Sequence, residues 1–111
     1  MKRILLAEKN QQLAATIVDR LKPLGFEVRH VNGGITALQS IVADLPDLLL
    51  LELKLPGLHG IELIKKLGQS SRTSQLPEIV LTGAYKDEKF TLQPRRSESV
   101  ITLRNRSNPL N

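Results

Sequence analysis

The chain has 111 residues and a formal net charge of +5, a length that allows one domain with one modest hydrophobic core. It contains no cysteine, which excludes disulfides, thiolate metal sites and cysteine nucleophiles and favours a cytoplasmic location. A net positive charge is typical of proteins that bind nucleic acid, so the position of the charge along the chain matters more than its total.

The first half of the chain alternates between strand and helix patterns. Residues 3–7 form an apolar strand that is far too short for a secretory signal or a membrane span. Residues 11–24 have apolar positions at helical spacing, residues 26–31 alternate as a second strand, and residues 35–45 have the pattern of an amphipathic helix before Pro46. This alternation predicts right-handed βαβ units and a parallel sheet.

The most informative segment is PDLLLLELKLPGLHG, in which an apolar strand ends on one acid, Glu52. The leucine run lacks polar alternation, which is typical of a central parallel strand covered on both faces. Its carboxyl end lies where open α/β sheets form their ligand crevice. From this pattern alone, Glu52 can equally be a functional acid or a cap of the next turn. Pro56, Gly57 and Gly60 are expected to form the turn beside the crevice.

A third helix and a fourth strand complete the repeating pattern. Residues 61–67 have apolar positions at helical spacing, and residues 78–82 form a β-branched and apolar strand after a polar loop. Past residue 83 the pattern fails, and only residues 99–103 have the composition of a short strand.

The charge is concentrated in the last part of the chain. Four arginines stand there against Glu98 alone, whereas acids and bases nearly balance before it. We therefore divide the chain into a domain at residues 1–90 and an aberrant basic C-terminal segment at residues 91–111. That segment is expected either to supply a substitute strand or to be disordered. No helix-turn-helix pattern or aromatic-interleaved basic surface occurs in the balanced part, which argues against nucleic-acid binding there.

Residues 2 to about 85 resemble the receiver domain of two-component response regulators. The resemblance rests on four segments in matching order and spacing: KRILLAEKN, LGFEVRHVNGGITAL, PDLLLLELKLPGLHG and LPEIVLTG. It implies an α/β fold of the flavodoxin-like class, a doubly wound parallel sheet with strand order 2-1-3-4-5. In this chain the fifth strand is expected to be altered or missing.

The resemblance also assigns site positions. In receiver domains two adjacent acids after the first strand hold magnesium, an aspartate ending the third strand accepts phosphate, and a hydroxyl and a lysine bind the phosphoryl oxygens. Here Glu8 and Lys9 occupy the acid-pair positions, Glu52 replaces the phosphoacceptor aspartate, and Thr82 retains the hydroxyl. No Lys-Pro occurs where the fifth strand should end.

These substitutions predict a site without magnesium or any other cofactor. Lys9 removes a carboxylate and adds positive charge where the metal would bind. Glu52 extends its carboxylate one methylene further than an aspartate, so phosphoryl transfer should be slow or absent. We expect Lys9 to form an ion pair with Glu8 or Glu52 in place of the metal.

The C-terminal segment has a second candidate origin. When residues 98–111 are back-translated with suitable codons and read one base out of frame, they can encode VSDYITKPIQPAQ. That string resembles the end of a receiver domain, with its strand aromatic and its Lys-Pro. We hypothesise a one-base frame change near Phe90; the alternative is a naturally diverged tail.

The resemblance implies a degenerate receiver in phosphorelay signal transduction, which is not an enzyme and acts through protein contacts. Its expected partners are a histidine kinase or another two-component signalling protein, not a membrane or nucleic acid. Self-association is also expected, because a lost fifth strand would expose the apolar side of residues 79–81. Two alternatives remain: an active phosphorelay receiver that accepts phosphate on Glu52, and a basic adaptor that binds nucleic acid through residues 91–111.

Overall fold

The structure is a computed structural model that describes residues 2–81 and, for the backbone alone, residues 101–104. Strands and helices alternate along the chain, as the sequence pattern predicts. The elements are β1 (Arg3–Ala7), α1 (Gln11–Leu21), β2 (Glu27–Val31), α2 (Gly34–Ala43), β3 (Leu48–Glu52), α3 (Gly60–Gly68), β4 (Glu78–Leu81) and β5 (Ile101–Arg104).

The strands form one sheet with the order β2-β1-β3-β4-β5. The first four strands are parallel, and β3 lies between β1 and β4. This confirms the predicted doubly wound flavodoxin-like sheet. The last strand does not continue the parallel arrangement: β5 pairs with β4 in the antiparallel direction, with Leu81 opposite Ile101.

The core lies on both faces of the sheet, as the leucine-rich strand predicts. Alternate residues of β1 and β3 point to opposite faces. Leu49 and Leu51 pack in the cluster that contains buried residues of α2 and α3. Leu50 packs on the other face, in the cluster that contains buried residues of α1. The central position of β3 therefore brings Glu52, its last residue, to the middle of the carboxyl edge.

The first helix is shorter than the predicted range of 11–24. The side chain of Asn10 caps it by accepting a 2.9 Å hydrogen bond from the Leu13 N–H. The α-helix ends at Leu21 and continues as a single 3₁₀ turn, Lys22–Leu24. Pro23 lacks an N–H and so cannot continue the helical ladder. Gly25 then reverses the chain with a φ of 98°, in the left-handed region that favours glycine.

The second helix also ends earlier than predicted, and the fourth strand is described only as far as Leu81. Helix α2 stops at Ala43, and Asp44 is already extended; two residues later Pro46 disfavours the helical conformation at Leu45 and has no N–H to donate to the helical ladder. In β4 the described strand ends at Leu81, so Thr82 lies outside the described residues. The expected exposure of residues 79–81 is wrong for Val80 and Leu81, which are only 5% and 1% exposed. Val80 packs in the core cluster on the face covered by α2 and α3, and Leu81 packs in the cluster on the face covered by α1.

Within residues 2–81 no helix is both long and apolar enough to cross a lipid bilayer.

Candidate functional site

Two glutamates meet at the carboxyl edge of the sheet. Strands β1 and β3 are neighbours, with Ala7 opposite Leu51, so the residues that follow in register are Glu8 and Glu52. Both side chains are buried: Glu8 is 0% exposed and Glu52 is 2% exposed. The structure therefore brings together two of the residues that the resemblance assigned to the site, one from the acid-pair positions and one from the phosphoacceptor position.

Each glutamate accepts a hydrogen bond from the chain that follows it. Glu52 Oε2 accepts from the backbone N–H of Lys54 at 2.9 Å, and Glu8 Oε2 accepts from the backbone N–H of Asn10 at 2.9 Å. These are bonds to the turn that each carboxylate caps. Glu52 therefore caps the next turn, which is one of the two roles that its pattern allowed. Turn capping does not account for its burial beside Glu8.

The second oxygen of Glu8 is not satisfied. Within the described residues, Glu8 Oε1 is buried and has no hydrogen-bond partner. Burial raises the pKa of the Glu8 carboxyl above its ordinary value, and the charge of Glu52 raises it further. The Asn10 N–H, Lys9 and His30 act in the opposite direction. The net effect favours the neutral acid, because an ionised carboxylate without full compensation is costly in a buried position.

The expected ion pair between Lys9 and the acids is wrong. Lys9 is exposed, and no ion pair joins it to Glu8 or Glu52 in the part of the chain that the structure describes. Successive residues of an extended segment point in opposite directions, so a chain that buries Glu8 directs Lys9 toward solvent. Its charge still lowers the pKa of Glu8, but less than burial raises it.

His30, on the neighbouring strand β2, contacts the backbone of Glu8, a contact that the sequence did not reveal. His30 Nε2 lies 2.8 Å from the carbonyl oxygen of Glu8, to which it donates. The Glu8 N–H in turn donates to the Val31 carbonyl at 3.0 Å. Only the register of β1 against β2 brings these residues together. The other histidine, His59, caps α3 through Nδ1, which accepts from the Ile61 N–H at 3.2 Å.

The predicted turn residues lie beside the site. Gly57 has a φ of 83°, which a residue with a side chain rarely adopts. A Cβ at Gly60 would lie 2.7 Å from the Cα of Leu53, so a side chain there would collide with backbone. The Pro56 carbonyl accepts from the Gly34 N–H at 3.1 Å and thereby joins this turn to the start of α2.

Gly34 is a site neighbour that the sequence analysis missed. A Cβ at this position would overlap the backbone carbonyl oxygen of Leu58. The close approach of α2 to the loop after β3 therefore requires glycine. In the sequence the pair Gly33-Gly34 predicts a turn, but two glycines in succession are also a signal of close backbone contact.

The donor set at this edge is small for a magnesium site. Among the described residues no group of three or more His, Cys, Asp or Glu side chains is placed to hold a metal ion. In residues 2–81 the carboxylates at this edge are those of Glu8 and Glu52, and Lys9, next to Glu8 in the chain, has an exposed ammonium group. Magnesium prefers an octahedron of oxygen ligands and is repelled by a neighbouring cation.

Comparison with known families gives one match that covers most of the chain. The model of the response regulator receiver domain matches residues 4–97. Among curated proteins, the chain is 39% identical over 80 residues to the phosphate regulon transcriptional regulatory protein PhoB of Rhizobium meliloti, covering 72% of this chain and 35% of that protein. It is 33% identical over 89 residues to the alkaline phosphatase synthesis transcriptional regulatory protein PhoP of Bacillus subtilis, covering 80% and 35%. The chain thus spans about a third of the length of these relatives.

Solved structures show the same similarity. The chain superposes with a TM-score of 0.70 and 34% identity on a putative response regulator from Chloroflexus aurantiacus, covering 72% of this chain and 66% of that one. It superposes with a TM-score of 0.72 and 29% identity on the receiver domain of sensor histidine kinase PA1611 from Pseudomonas aeruginosa, covering 78% and 71%. That structure has a magnesium ion coordinated in its active-site cleft.

Proposed function

Because the chain belongs to the response regulator receiver domain family, we propose that it is a degenerate receiver of two-component signalling that acts through protein contacts. It takes no phosphate itself and catalyses no reaction. Its partners are a histidine kinase or another two-component signalling protein in the cytoplasm. The observation that carries this proposal is the buried pair Glu8 and Glu52, of which Glu8 has an unsatisfied oxygen.

The position of Glu52 supports the loss of phosphoryl transfer. Its carboxylate reaches one methylene, roughly 1.5 Å, further than an aspartate would. In-line attack depends on placing the nucleophile to within a fraction of that distance. In addition, Oε2 is engaged by the Lys54 N–H at 2.9 Å, and the side chain is only 2% exposed. A phosphodonor would have to displace this arrangement before it could reach the carboxylate.

The residues at the two positions that hold magnesium in the family, Glu8 and Lys9, support the loss of magnesium binding. Lys9 supplies a cation where the family has a carboxylate, and that charge repels a divalent cation while removing one of its charged oxygen donors. We therefore propose that the buried side chains of Glu8 and Glu52 hold no metal.

A phosphotransfer assay tests the proposal. An autophosphorylated, labelled histidine kinase is mixed with the full chain, and transfer of label is followed with time. The expected result is no transfer above that of the Glu52→Gln variant. Label that appears on the chain and is lost in Glu52→Gln would overturn the proposal and establish the alternative, a working receiver that uses Glu52.

Magnesium binding gives an independent test on the same protein. Amide chemical shifts of the isotope-labelled chain are recorded during titration with millimolar magnesium. We expect no specific shifts at Glu8, Glu52 or the turn that follows Glu52. Saturable shifts confined to these residues would show that this edge of the sheet still binds the metal.

A further inference from the structure

The loop between β2 and α2 contains a chemically reactive pair, Asn32-Gly33. The chain has asparagines at positions 10, 32, 105, 108 and 111, and Asn32 is the one that a glycine follows. An asparagine side chain can be attacked by the backbone nitrogen of the next residue, and a glycine there has no Cβ to hinder the approach. The sequence therefore marks Asn32 as the asparagine most prone to lose its amide group.

The structure leaves both reacting groups free. Asn32 is exposed and lies between the end of β2 at Val31 and the start of α2 at Gly34. Within the described residues the Asn32 carboxamide has no hydrogen-bond partner, and the Gly33 N–H has none either. No hydrogen bond must therefore be broken before the Gly33 nitrogen loses its proton and attacks.

The surroundings of Asn32 give the reaction room. Asn32 lines an open groove of about 380 Å³ at the carboxyl edge of the sheet. The groove is formed by four polar side chains and one apolar strand residue, namely Gln11, His30, Val31, Asn32 and Thr36. Ring closure requires the side chain to turn toward its own backbone, and the later hydrolysis consumes water, so an open groove favours both steps.

Asn10 provides the contrast within the same fold. Its side-chain oxygen accepts from the Leu13 N–H at 2.9 Å and caps α1, and its own N–H donates to Glu8 Oε2 at 2.9 Å. The residue that follows it is Gln11, the first residue of α1. A carboxamide held in a helix cap, beside a residue that has a Cβ, is poorly placed for ring closure. The folded structure thus distinguishes the two asparagines that it describes.

We infer that Asn32 is a site of spontaneous deamidation in the folded protein, which places a new carboxylate before α2. The Gly33 nitrogen attacks the side-chain carbonyl carbon of Asn32, the bond to the side-chain amide nitrogen breaks, and ammonia leaves with the proton of the Gly33 nitrogen. The cyclic imide then takes up one water. Opening at the side-chain carbonyl gives aspartate, and opening at the backbone carbonyl gives isoaspartate. The inference goes beyond the proposed function and does not depend on it.

The two products differ in their effect on α2. Gly33 gives this helix no side-chain cap, and negative charge near a helix N-terminus is favourable, so aspartate should be tolerated. Isoaspartate lengthens the backbone between β2 and α2 by one methylene, roughly 1.5 Å. The start of α2 has no slack, because the Gly34 N–H donates to the Pro56 carbonyl at 3.1 Å and a Cβ on Gly34 would overlap the Leu58 carbonyl oxygen. Isoaspartate should therefore displace α2 from the loop that follows β3.

Peptide mass spectrometry of the full folded chain tests this inference. The protein is incubated in mildly alkaline buffer and digested at intervals, and the conversion of amide to acid is measured at Asn32 and Asn10. Isoaspartate is distinguished from aspartate by labelling with an isoaspartyl methyltransferase. We expect both acids at Asn32 and no conversion at Asn10 over the same time. Incubation in urea gives the rate for the unfolded chain, and the folded rate should lie within about tenfold of it.

Gly33→Ala is the matched variant. Gly33 has a φ of −149°, extended backbone that any residue adopts. A Cβ there would lie 3.4 Å from the Pro56 carbonyl oxygen and 3.6 Å from Thr36 Oγ1, which are ordinary contacts. The variant should therefore fold, which thermal melting checks, and should slow conversion by about tenfold or more because the Cβ hinders the attack.

A second comparison separates the new charge from the lengthened backbone. Asn32→Asp carries the charge alone, and its amide chemical shifts at Gly34 and Leu58 should match those of the unchanged chain. The isoaspartate form, isolated by chromatography, should show shifted Gly34 and Leu58 amides and a lower Tm.

Three outcomes would overturn the inference. The first is conversion of Asn32 in urea but not in the folded protein, which would show that the fold holds the pair in an unreactive geometry. The second is an equal rate at Asn10, or an equal rate in Gly33→Ala and the unchanged chain. The third is an isoaspartate form whose Gly34 and Leu58 amides do not shift. None of these outcomes bears on the phosphotransfer assay at Glu52, so failure of this inference and failure of the proposed function are distinguishable.

Discussion

Replacing Glu8 with glutamine should stabilise the protein at neutral pH, although the residue is buried at the centre of the candidate site. The change keeps the side-chain shape, and the glutamine carbonyl can still accept from the Asn10 N–H. It removes the charge that burial and Glu52 disfavour, and its amide group can donate toward the Glu52 carboxylate. Leaving a buried polar oxygen without a partner costs about 1–3 kcal/mol, and Glu8 has one such oxygen. We expect a gain of that order.

The sign of the pH dependence follows from the raised pKa of Glu8. Burial first, and then Glu52, holds the pKa of the folded carboxyl above its ordinary value of 4.5. Above that value the unfolded chain has lost the proton while the folded protein retains it. The free energy of unfolding therefore falls as pH rises from the ordinary pKa through the folded pKa. The stability that protonated Glu8 contributes is fully present only below this pH window. The gain from Glu8→Gln should increase with pH across the same window.

Urea denaturation of both proteins from about pH 4 to 8 measures this difference. A gain of 1 kcal/mol corresponds to roughly 4–8 °C in Tm for a domain of this size, so thermal melting gives a second readout. The control is Glu27→Gln, because Glu27 is an exposed acid on β2 and its loss should not change the slope. Loss of stability in Glu8→Gln at pH 7.5, or a difference that does not grow with pH, would refute the argument that Glu8 is an uncompensated buried acid.

Three further predictions follow from the site and its surroundings. The double variant Lys9→Asp with Glu52→Asp should bind millimolar magnesium, seen as saturable amide shifts, before it gains phosphorylation; unchanged shifts would show that more than these two residues prevents metal binding. Gly34→Ala should lower the free energy of unfolding by about 1–3 kcal/mol or more, because the added Cβ overlaps a backbone carbonyl. Gly25→Ala has open space but a φ of 98°, and should lower it by about 1–2 kcal/mol. A lower urea midpoint for Gly25→Ala than for Gly34→Ala would contradict the packing argument. The nucleotide sequence should show an alternate frame that is open from Phe90 through Asn111 and encodes a string close to DYITKPI; a stop codon in that frame between these residues would exclude the frame change.

Most of the fold could be predicted from the sequence because its determinants are local. The leucine run of β3 is apolar at every position through Leu51, and only a strand covered on both faces accommodates that pattern. The apolar spacing of α3 likewise specifies which side is buried. Helix ends were predicted less well, because they depend on competing local groups, as in α1, where Pro23 converts the last turn to a 3₁₀ turn.

The site could be predicted only in part. Glu52 could be placed at a strand end from the sequence alone, and family resemblance added Glu8 and Lys9. The direction of each side chain could not be predicted, since the expected ion pair required Lys9 to point inward and the structure turns it outward. Thr82, the fourth assigned position, lies outside the described residues and stays a prediction.

The sequence by itself determined the order of strands and helices and the placement of an acid at the end of β3, because hydrophobic periodicity and turn residues act over a few positions. Only the tertiary structure decided that Glu8 and Glu52 are buried neighbours, that His30 lies on the Glu8 carbonyl, and that Gly34 meets a carbonyl of the loop after β3. These contacts join residues of different elements. They depend on strand register and on the approach of packed elements, which no local pattern encodes.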